Sequence, residues 1–207
     1  MKGQINRGTE FGDAIYEHAL NEKFKTYVEM GTWNGQGSTK CFVDGLLQRR
    51  DDAKLHSLET DLNFYNQAKE YWHSQSIIYK NLFSKLKLIH GRVVEGEEIF
   101  EEEKVRNYKK FDERYLQWRN HDLSAYETCK NILSELPNNI DVLLLDGGEF
   151  STYQEFLILK DRTKIIMLDD TQELKCEQVV ADLESNDEWA CIHSSADRQG
   201  WAIYKKK

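Results

Sequence analysis

The sequence has few of the residues that cross-link a small protein or bind zinc. Its four cysteines, Cys41, Cys129, Cys176 and Cys191, include no C-x-x-C pair, and no His or Cys has metal-ligand spacing. A disulfide framework and a zinc site are therefore both disfavoured. We expect reduced thiols, as in a cytoplasmic protein. The single proline, Pro137, marks a break in the chain rather than a proline-rich linker.

Long apolar runs and an excess of positive charge are also missing. No run approaches the length of a membrane span. Acidic residues outnumber basic ones by 36 to 28, which gives a net charge of −8 and weighs against nucleic acid as the main partner. The terminal Lys205–Lys207 is too short to reverse this. A hydrophobic content of 40% argues against disorder, and 207 residues suit one α/β domain over 1–207.

The most informative stretch is an apolar run that ends in an acid and a glycine-rich turn, Glu29-Met30-Gly31-Thr32-Trp33-Asn34-Gly35-Gln36-Gly37-Ser38-Thr39. A helical pattern follows from Cys41 to Leu47. Strand, glycine turn and helix together bring a nucleotide-like ligand against bare backbone. Ser38 or Thr39 would cap the helix. A tight turn with no ligand is the alternative.

The spacing of the glycines separates the candidate ligands. The dinucleotide pattern G-x-G-x-x-G is missing, and so is the lysine of a P-loop. The form E-x-G-x-x-x-G resembles motif I of the class I S-adenosylmethionine (SAM) methyltransferases. That resemblance implies a SAM site made by the following residues of the stretch: Glu29, Gly31, Thr32, Trp33, Gly35, Ser38 and Thr39.

Two further strands are predicted downstream. The stretch 54–61 ends in acids, and Glu59 is placed to accept hydrogen bonds from both ribose hydroxyls of a nucleoside, while Asp61 is expected to cap the next helix. Leu86–His90 alternates as a third strand, and Gly91-Arg92-Val93 follows where an adenine ring would lie. Arg92 is therefore a candidate cofactor-binding residue.

Residues 95–122 have a different composition, with nine acids and six bases. Tyr108, Phe111, Tyr115 and Trp118 recur at helical spacing, which predicts an amphipathic helix within a helical insertion over 95–137. The aromatic stripe is consistent with plain packing, with a lid beside the active site, or with a dimer contact. The sequence leaves these alternatives open.

Two buried strands end in carboxylates. Asp146 follows one strand, and the pair Asp169-Asp170 ends the next, 23 residues later. Carboxyl ends of parallel strands meet at one edge, so the three acids should converge. Such a cluster suits Mg²⁺ or a similar hard ion. Alternatively, one Asp caps a helix, or Asp146 alone orients the cofactor. The segments 189–193 and 201–204 predict a closing antiparallel hairpin.

Taken in order, these elements resemble a class I SAM-dependent methyltransferase over nearly the whole chain. The resemblance implies a Rossmann-like, doubly wound and mostly parallel seven-stranded sheet with the C-terminal antiparallel hairpin and the helical insertion. The acids are similar to those of the metal-dependent O-methyltransferases of the catechol and macrocin types. By that resemblance Asp146, Asp169 and Asp170 would bind Mg²⁺ or Mn²⁺. Where the catechol type has a lysine base, this sequence has Glu149, so the base is either Asp146 or Glu149.

The expected activity is therefore SAM-dependent, metal-assisted methyl transfer to a hydroxyl, with the sugar of a glycan as the acceptor. Vicinal hydroxyls can chelate one ion, which fits a sugar or a catechol. A small catechol or phenol acceptor and a non-catalytic SAM-binding partner subunit are the alternatives, and a homodimer stays open. An NAD-dependent oxidoreductase needs a glycine pattern that this chain lacks.

Overall fold

The computed structural model describes residues 4–207, which fold around one seven-stranded sheet with the order β3-β2-β1-β4-β5-β7-β6. The strands are β1 Thr26–Met30, β2 Lys54–Glu59, β3 Leu86–His90, β4 Ile140–Leu145, β5 Thr163–Asp169, β6 Trp189–Ser195 and β7 Trp201–Lys206. The strands β1 to β5 pair in parallel, whereas β7 runs antiparallel to both β5 and β6. The predicted fold class is confirmed.

Helices cover both faces of this sheet. They are α1 Glu10–Leu20, α2 Ser38–Leu46, α3 Leu62–Gln75, α4 Leu82–Lys85, α5 Glu102–Arg106, α6 Glu113–Thr128, α7 Thr152–Leu159 and α8 Leu174–Glu184. Asp61 caps α3 as predicted, by accepting hydrogen bonds from the backbone N–H groups of Asn63 (2.8 Å) and Phe64 (2.9 Å). The cap predicted for α2 at Ser38 or Thr39 was wrong, because Gly37 occupies the N-cap position and no side chain caps this helix.

The central strands lie between two layers of apolar side chains. All six residues of β4 are buried, as expected for an apolar strand covered on both faces. One core cluster contains Val28 and Leu143, and the other, on the opposite face, contains Tyr27 and Leu144. Because β4 and β5 are central, their carboxyl ends are held rigidly at the edge where the site forms.

The segment 95–122 differs from the single amphipathic helix that was predicted. Residues 107–112 interrupt it between α5 and α6, and Asp112 caps α6 by accepting from the backbone N–H of Arg114 (2.8 Å). Tyr108 and Tyr115 are buried in the core, whereas Trp118 is 47% exposed. Most of the aromatic stripe therefore packs on the domain. The prediction was wrong because periodic aromatic spacing cannot distinguish one helix from two helical pieces that share a core.

Within residues 4–207, no helix is both long and apolar enough to cross a membrane.

Candidate functional site

A cavity of about 490 Å³ opens at the carboxyl edge of the parallel strands. The cavity is lined by residues at or just after the carboxyl ends of β1 to β5. Part of α6 and the N-terminal residues Gln4 and Ile5 complete the lining. This volume falls within the range of small-ligand sites. The described residues thus form a ligand-sized pocket where open α/β sheets bind their ligands.

The glycine turn after β1 forms one wall of this cavity. Gly31 has a φ of +96°, and a Cβ there would overlap the backbone carbonyl of Asp146. Its N–H donates to the carbonyl of Leu58 (3.0 Å), so the turn is held between β2 and β4. Only glycine allows so close a backbone approach at this φ.

Glu29 lies beneath this turn and off the cavity wall. Its Oε2 accepts hydrogen bonds from Thr39 Oγ1 (2.7 Å) and Ser57 Oγ (2.5 Å). Burial raises the pKa of Glu29 to about 7, although these hydroxyls oppose the shift. Gly35 is also off the wall, and a Cβ there would lie 2.6 Å from the indole nitrogen of Trp72. These residues shape the loop from below.

Glu59 lies on the wall at the end of β2 and organises two loops. Its Oε2 accepts from the backbone N–H of Trp33 (2.6 Å), and its Oε1 accepts from that of Asp61 (2.9 Å). Burial raises the pKa of Glu59 to about 7, and the backbone hydrogen bonds limit the rise. Each carboxylate oxygen can accept a further bond, so Glu59 can still receive two hydroxyls of a ligand.

The cavity wall also carries apolar surface, alongside polar residues such as Thr60 and Asp61. Gly91, Phe64, Ala125 and Tyr126 contribute to it, in keeping with a flat aromatic ring. Arg92, however, is not part of the wall. Its guanidinium donates to the carbonyl of Cys129 and to Glu95 (2.5 Å), which turns it toward the α6–β4 connection.

At the other end of the cavity, the acids after β4 and β5 converge. Carboxylate oxygens of Asp146, Asp169 and Asp170 lie within 4.8 Å of one another. Burial raises the pKa of Asp146; the Lys175 ammonium lowers it and the two neighbouring acids raise it. The convergence follows from the parallel pairing of β4 with β5.

Two cations that no sequence pattern singled out contact this acid cluster. The Lys175 ammonium is 3.3 Å from Asp146 Oδ1 and 3.0 Å from Asp170 Oδ2, and its side chain is 5% exposed. Arg198 Nη2, from the β6–β7 turn, lies 2.9 Å from Asp169 Oδ2. Burial opposes the charge on Lys175, yet the carboxylates raise its pKa well above the ordinary value. The two cations offset two of the three negative charges.

A hard divalent ion fits the chemistry of this donor set but not its arrangement. The three acids offer the oxygen ligands that Mg²⁺ prefers. Each of them, however, already pairs with Lys175 or Arg198, and the ammonium lies between two of the required ligands. An ion would have to displace a buried lysine.

The two candidate bases differ in position. Asp146 lies on the cavity wall, whereas Glu149 is off it and accepts from the backbone N–H of Lys175 (3.1 Å), at the start of α8. The cavity contains two other acids that the sequence did not single out, Asp122 and Glu155. Burial raises the pKa of each to about 7.

Sequence comparisons find nothing, since no family model matches the chain and no curated protein does. Solved structures do resemble it. An O-methyltransferase from Bacillus cereus in complex with S-adenosylhomocysteine (SAH) is 11% identical, with a TM-score of 0.63 over 99% of this chain and 84% of that one. The chain has the class I methyltransferase fold. At such identities the likeness establishes the fold alone.

Two other solved methyltransferase structures also resemble this chain. The SAH-bound methyltransferase PaMTH1 from Podospora anserina is 14% identical, with a TM-score of 0.62 over 95% of this chain and 78% of that one. The O-methyltransferase TomG from Streptomyces achromogenes, involved in tomaymycin synthesis and complexed with SAM, is 10% identical, with a TM-score of 0.59 over 95% and 79%.

The cavity wall contains eight of the thirteen site residues that were predicted from the sequence. Those on its wall are Gly31, Thr32, Trp33, Ser38, Glu59, Asp146, Asp169 and Asp170; those off it are Glu29, Gly35, Thr39, Arg92 and Glu149. Lys175 follows Asp170 by five residues at the start of α8. That spacing was the one signal for it, and a lone lysine after an acid pair is too common to identify a site.

Proposed function

We propose that this chain transfers the methyl group of SAM to a hydroxyl of a small acceptor. The observation that supports this most is that Gly31, Glu59 and Asp146 open onto one cavity from three adjacent strands. In strand order, the carboxylate proposed to accept the ribose comes first, the bare backbone of the glycine turn second and the acid cluster third. The fold shared with SAM- and SAH-bound methyltransferases agrees.

The chain's own groups suggest how the cofactor is held. Glu59 accepts the two ribose hydroxyls, and the apolar part near Phe64 and Tyr126 accommodates the adenine ring. The N-terminus of α2 at Ser38 favours a carboxylate, because its first N–H groups point outward. The sulfonium supplies an already activated methyl group, so the protein mainly aligns an acceptor oxygen.

In this proposal the acceptor oxygen forms the new bond to the methyl carbon, and the electron pair of the S–C bond remains on sulfur. The proton of the hydroxyl passes to a carboxylate, for which we favour Asp146 over Glu149 because Asp146 is on the wall. Asp122 is a further candidate, since its raised pKa of about 7 is close to the operating range of a general base.

A hydroxyl-rich acceptor, such as the sugar of a glycan, is our preferred substrate class. Gln4, Asp169, Asp170 and Arg198 line the end of the cavity beside Asp146, and such groups hydrogen-bond to hydroxyls. Tyr115 and Trp118 are not on the wall, so stacking on a sugar face has no support. The alternative acceptor is a small catechol or phenol, which also offers a hydroxyl for methyl transfer. A lid over 95–137 and a homodimer stay predictions, and the pairing of the acids with Lys175 and Arg198 counts against the metal assistance expected from the sequence.

The test has two steps. Calorimetry with SAH, SAM and NAD should give micromolar binding of SAH and none of NAD. Methyl transfer from labelled SAM is then measured with matched vicinal diols and their mono-hydroxyl analogues, sugars on one side and catechols on the other. Tight NAD binding without SAH binding would refute the methyltransferase proposal. Labelling of catechols alone would refute the sugar assignment.

A further inference from the structure

The Lys175 ammonium occupies the centre of the acid cluster. It is 3.3 Å from Asp146 and 3.0 Å from Asp170, so it joins the acid that follows β4 to the acid that follows β5. Three carboxylates within 4.8 Å repel one another unless a cation lies among them. In this chain that cation is a side chain.

The position of Lys175 is fixed by α8. Its backbone N–H donates to Glu149 Oε1 (3.1 Å), and the next residue, Cys176, is fully buried in the core with Val179 and Leu183. The side chain is 5% exposed. Withdrawal of the ammonium would require either a rearrangement of the first turn of α8 or burial of an unpaired charge, which is costly.

Arg198 provides the second half of the charge balance. It pairs with Asp169 at 2.9 Å and lies 3.9 Å from Asp170. Three carboxylates and two cations leave one formal negative charge. A divalent ion added to these five groups would turn the single negative charge into a net positive charge, and it would have to approach two fixed cations within about 3 to 4 Å of its ligands.

We propose that Lys175 is the resident cation of this site, a positioning residue that holds Asp146 and Asp170 in place, and that the reaction requires no divalent ion. The proposal rests on the proposed function only for the reaction itself. The bonds made and broken are those already described: carbon–oxygen forms, carbon–sulfur breaks, and the proton passes to Asp146. Lys175 keeps its proton throughout, because it acts as a fixed positive charge.

The first test measures metal binding without turnover. Binding of Mn²⁺ is followed by electron paramagnetic resonance in the wild type, in Lys175→Met and in the matched control Lys109→Met, which removes an exposed lysine paired with Glu177 of α8. We expect no micromolar site in the wild type or the control. Lys175→Met should bind one Mn²⁺ at least about tenfold more tightly, and Asp169→Asn in that background should abolish the gain.

The second test separates positioning from folding. The wild type should keep its activity in EDTA. Lys175→Met should lose most of its kcat while its SAH affinity is retained, and Mn²⁺ should restore part of the kcat. One Mn²⁺ bound at micromolar concentration by the wild type, or activity abolished by EDTA, would overturn the proposal. If Lys175→Met does not fold, the wild-type titration alone decides. If SAH does not bind, the proposed function fails, but the Mn²⁺ titration still tests Lys175.

Discussion

Glu59→Gln is the substitution that examines the cofactor site most directly. The two side chains have nearly the same shape, so the cavity keeps its form. In the wild type both carboxylate oxygens accept a backbone N–H, from Trp33 and from Asp61. An amide can accept only one of these, which leaves one buried N–H without a partner. That costs about 1–3 kcal/mol of folding stability.

The loss in ligand affinity is separate from this loss of stability. Hydrogen bonds to a charged group contribute about 1 kcal/mol more than neutral ones. At a pH of about 8, where a Glu59 with a pKa of about 7 is mostly ionised, two ribose hydroxyls would therefore bind about 2 kcal/mol more weakly to the variant, which is about 30-fold in Kd. Glu59→Ala should weaken binding further, because both acceptors are removed.

Calorimetry with SAH measures this affinity, and chemical denaturation measures the stability. The control is Glu103→Gln, which neutralises an exposed glutamate on α5 and should change neither quantity. A folded Glu59→Gln protein that binds SAH within about threefold of the wild type would refute the role assigned to Glu59. A loss of stability alone would show that the carboxylate serves only the loops.

Other outcomes are expected at sites away from Glu59. Gly31→Ala should lower the melting temperature and abolish SAH binding, because its Cβ overlaps backbone at a φ of +96°. The control Gly96→Ala should behave as the wild type in the same assays, because its Cβ would meet only Leu123 at 4.0 Å. If 95–137 is a lid, Trp118→Ala should raise the KM for the acceptor. The melting temperature should change little, because the ring is 47% exposed. Unchanged kinetics would favour packing without a lid function. Burial raises the pKa of Glu155 from 4.5 to about 7, so its contribution to stability is full below pH 4.5 and is lost as the pH rises through 7. Over this pH window the melting temperature of Glu155→Gln should therefore fall less than that of the wild type. Equal pH profiles of the two melting temperatures would contradict the raised pKa.

The sequence alone determined the strands, their burial and the edge at which the site forms. The run 140–145 and the acids that follow β4 and β5 could be interpreted without coordinates, because buried parallel strands are continuous apolar runs whose carboxyl ends meet. Glycine spacing and the acid of β2 predicted the turn and the ribose acceptor on the same local grounds. These features depend on neighbours in the chain.

Tertiary structure decided what these groups contact. Glu29 and Gly35 belong to the predicted glycine motif, yet they face Ser57 and Trp72 rather than the cavity, since only the packing of α3 and β2 shows which side of a turn is open. The course of 95–122 was decided in the same way, by a shared core rather than by aromatic periodicity.

The acid cluster shows the difference most clearly. Convergence of Asp146, Asp169 and Asp170 followed from strand order, but their partners did not. Lys175 comes from the first turn of α8 and Arg198 from the β6–β7 turn, and neither position is fixed by a local pattern. Charge compensation acts through space at about 3 Å, so which cation meets buried carboxylates is a property of the folded chain.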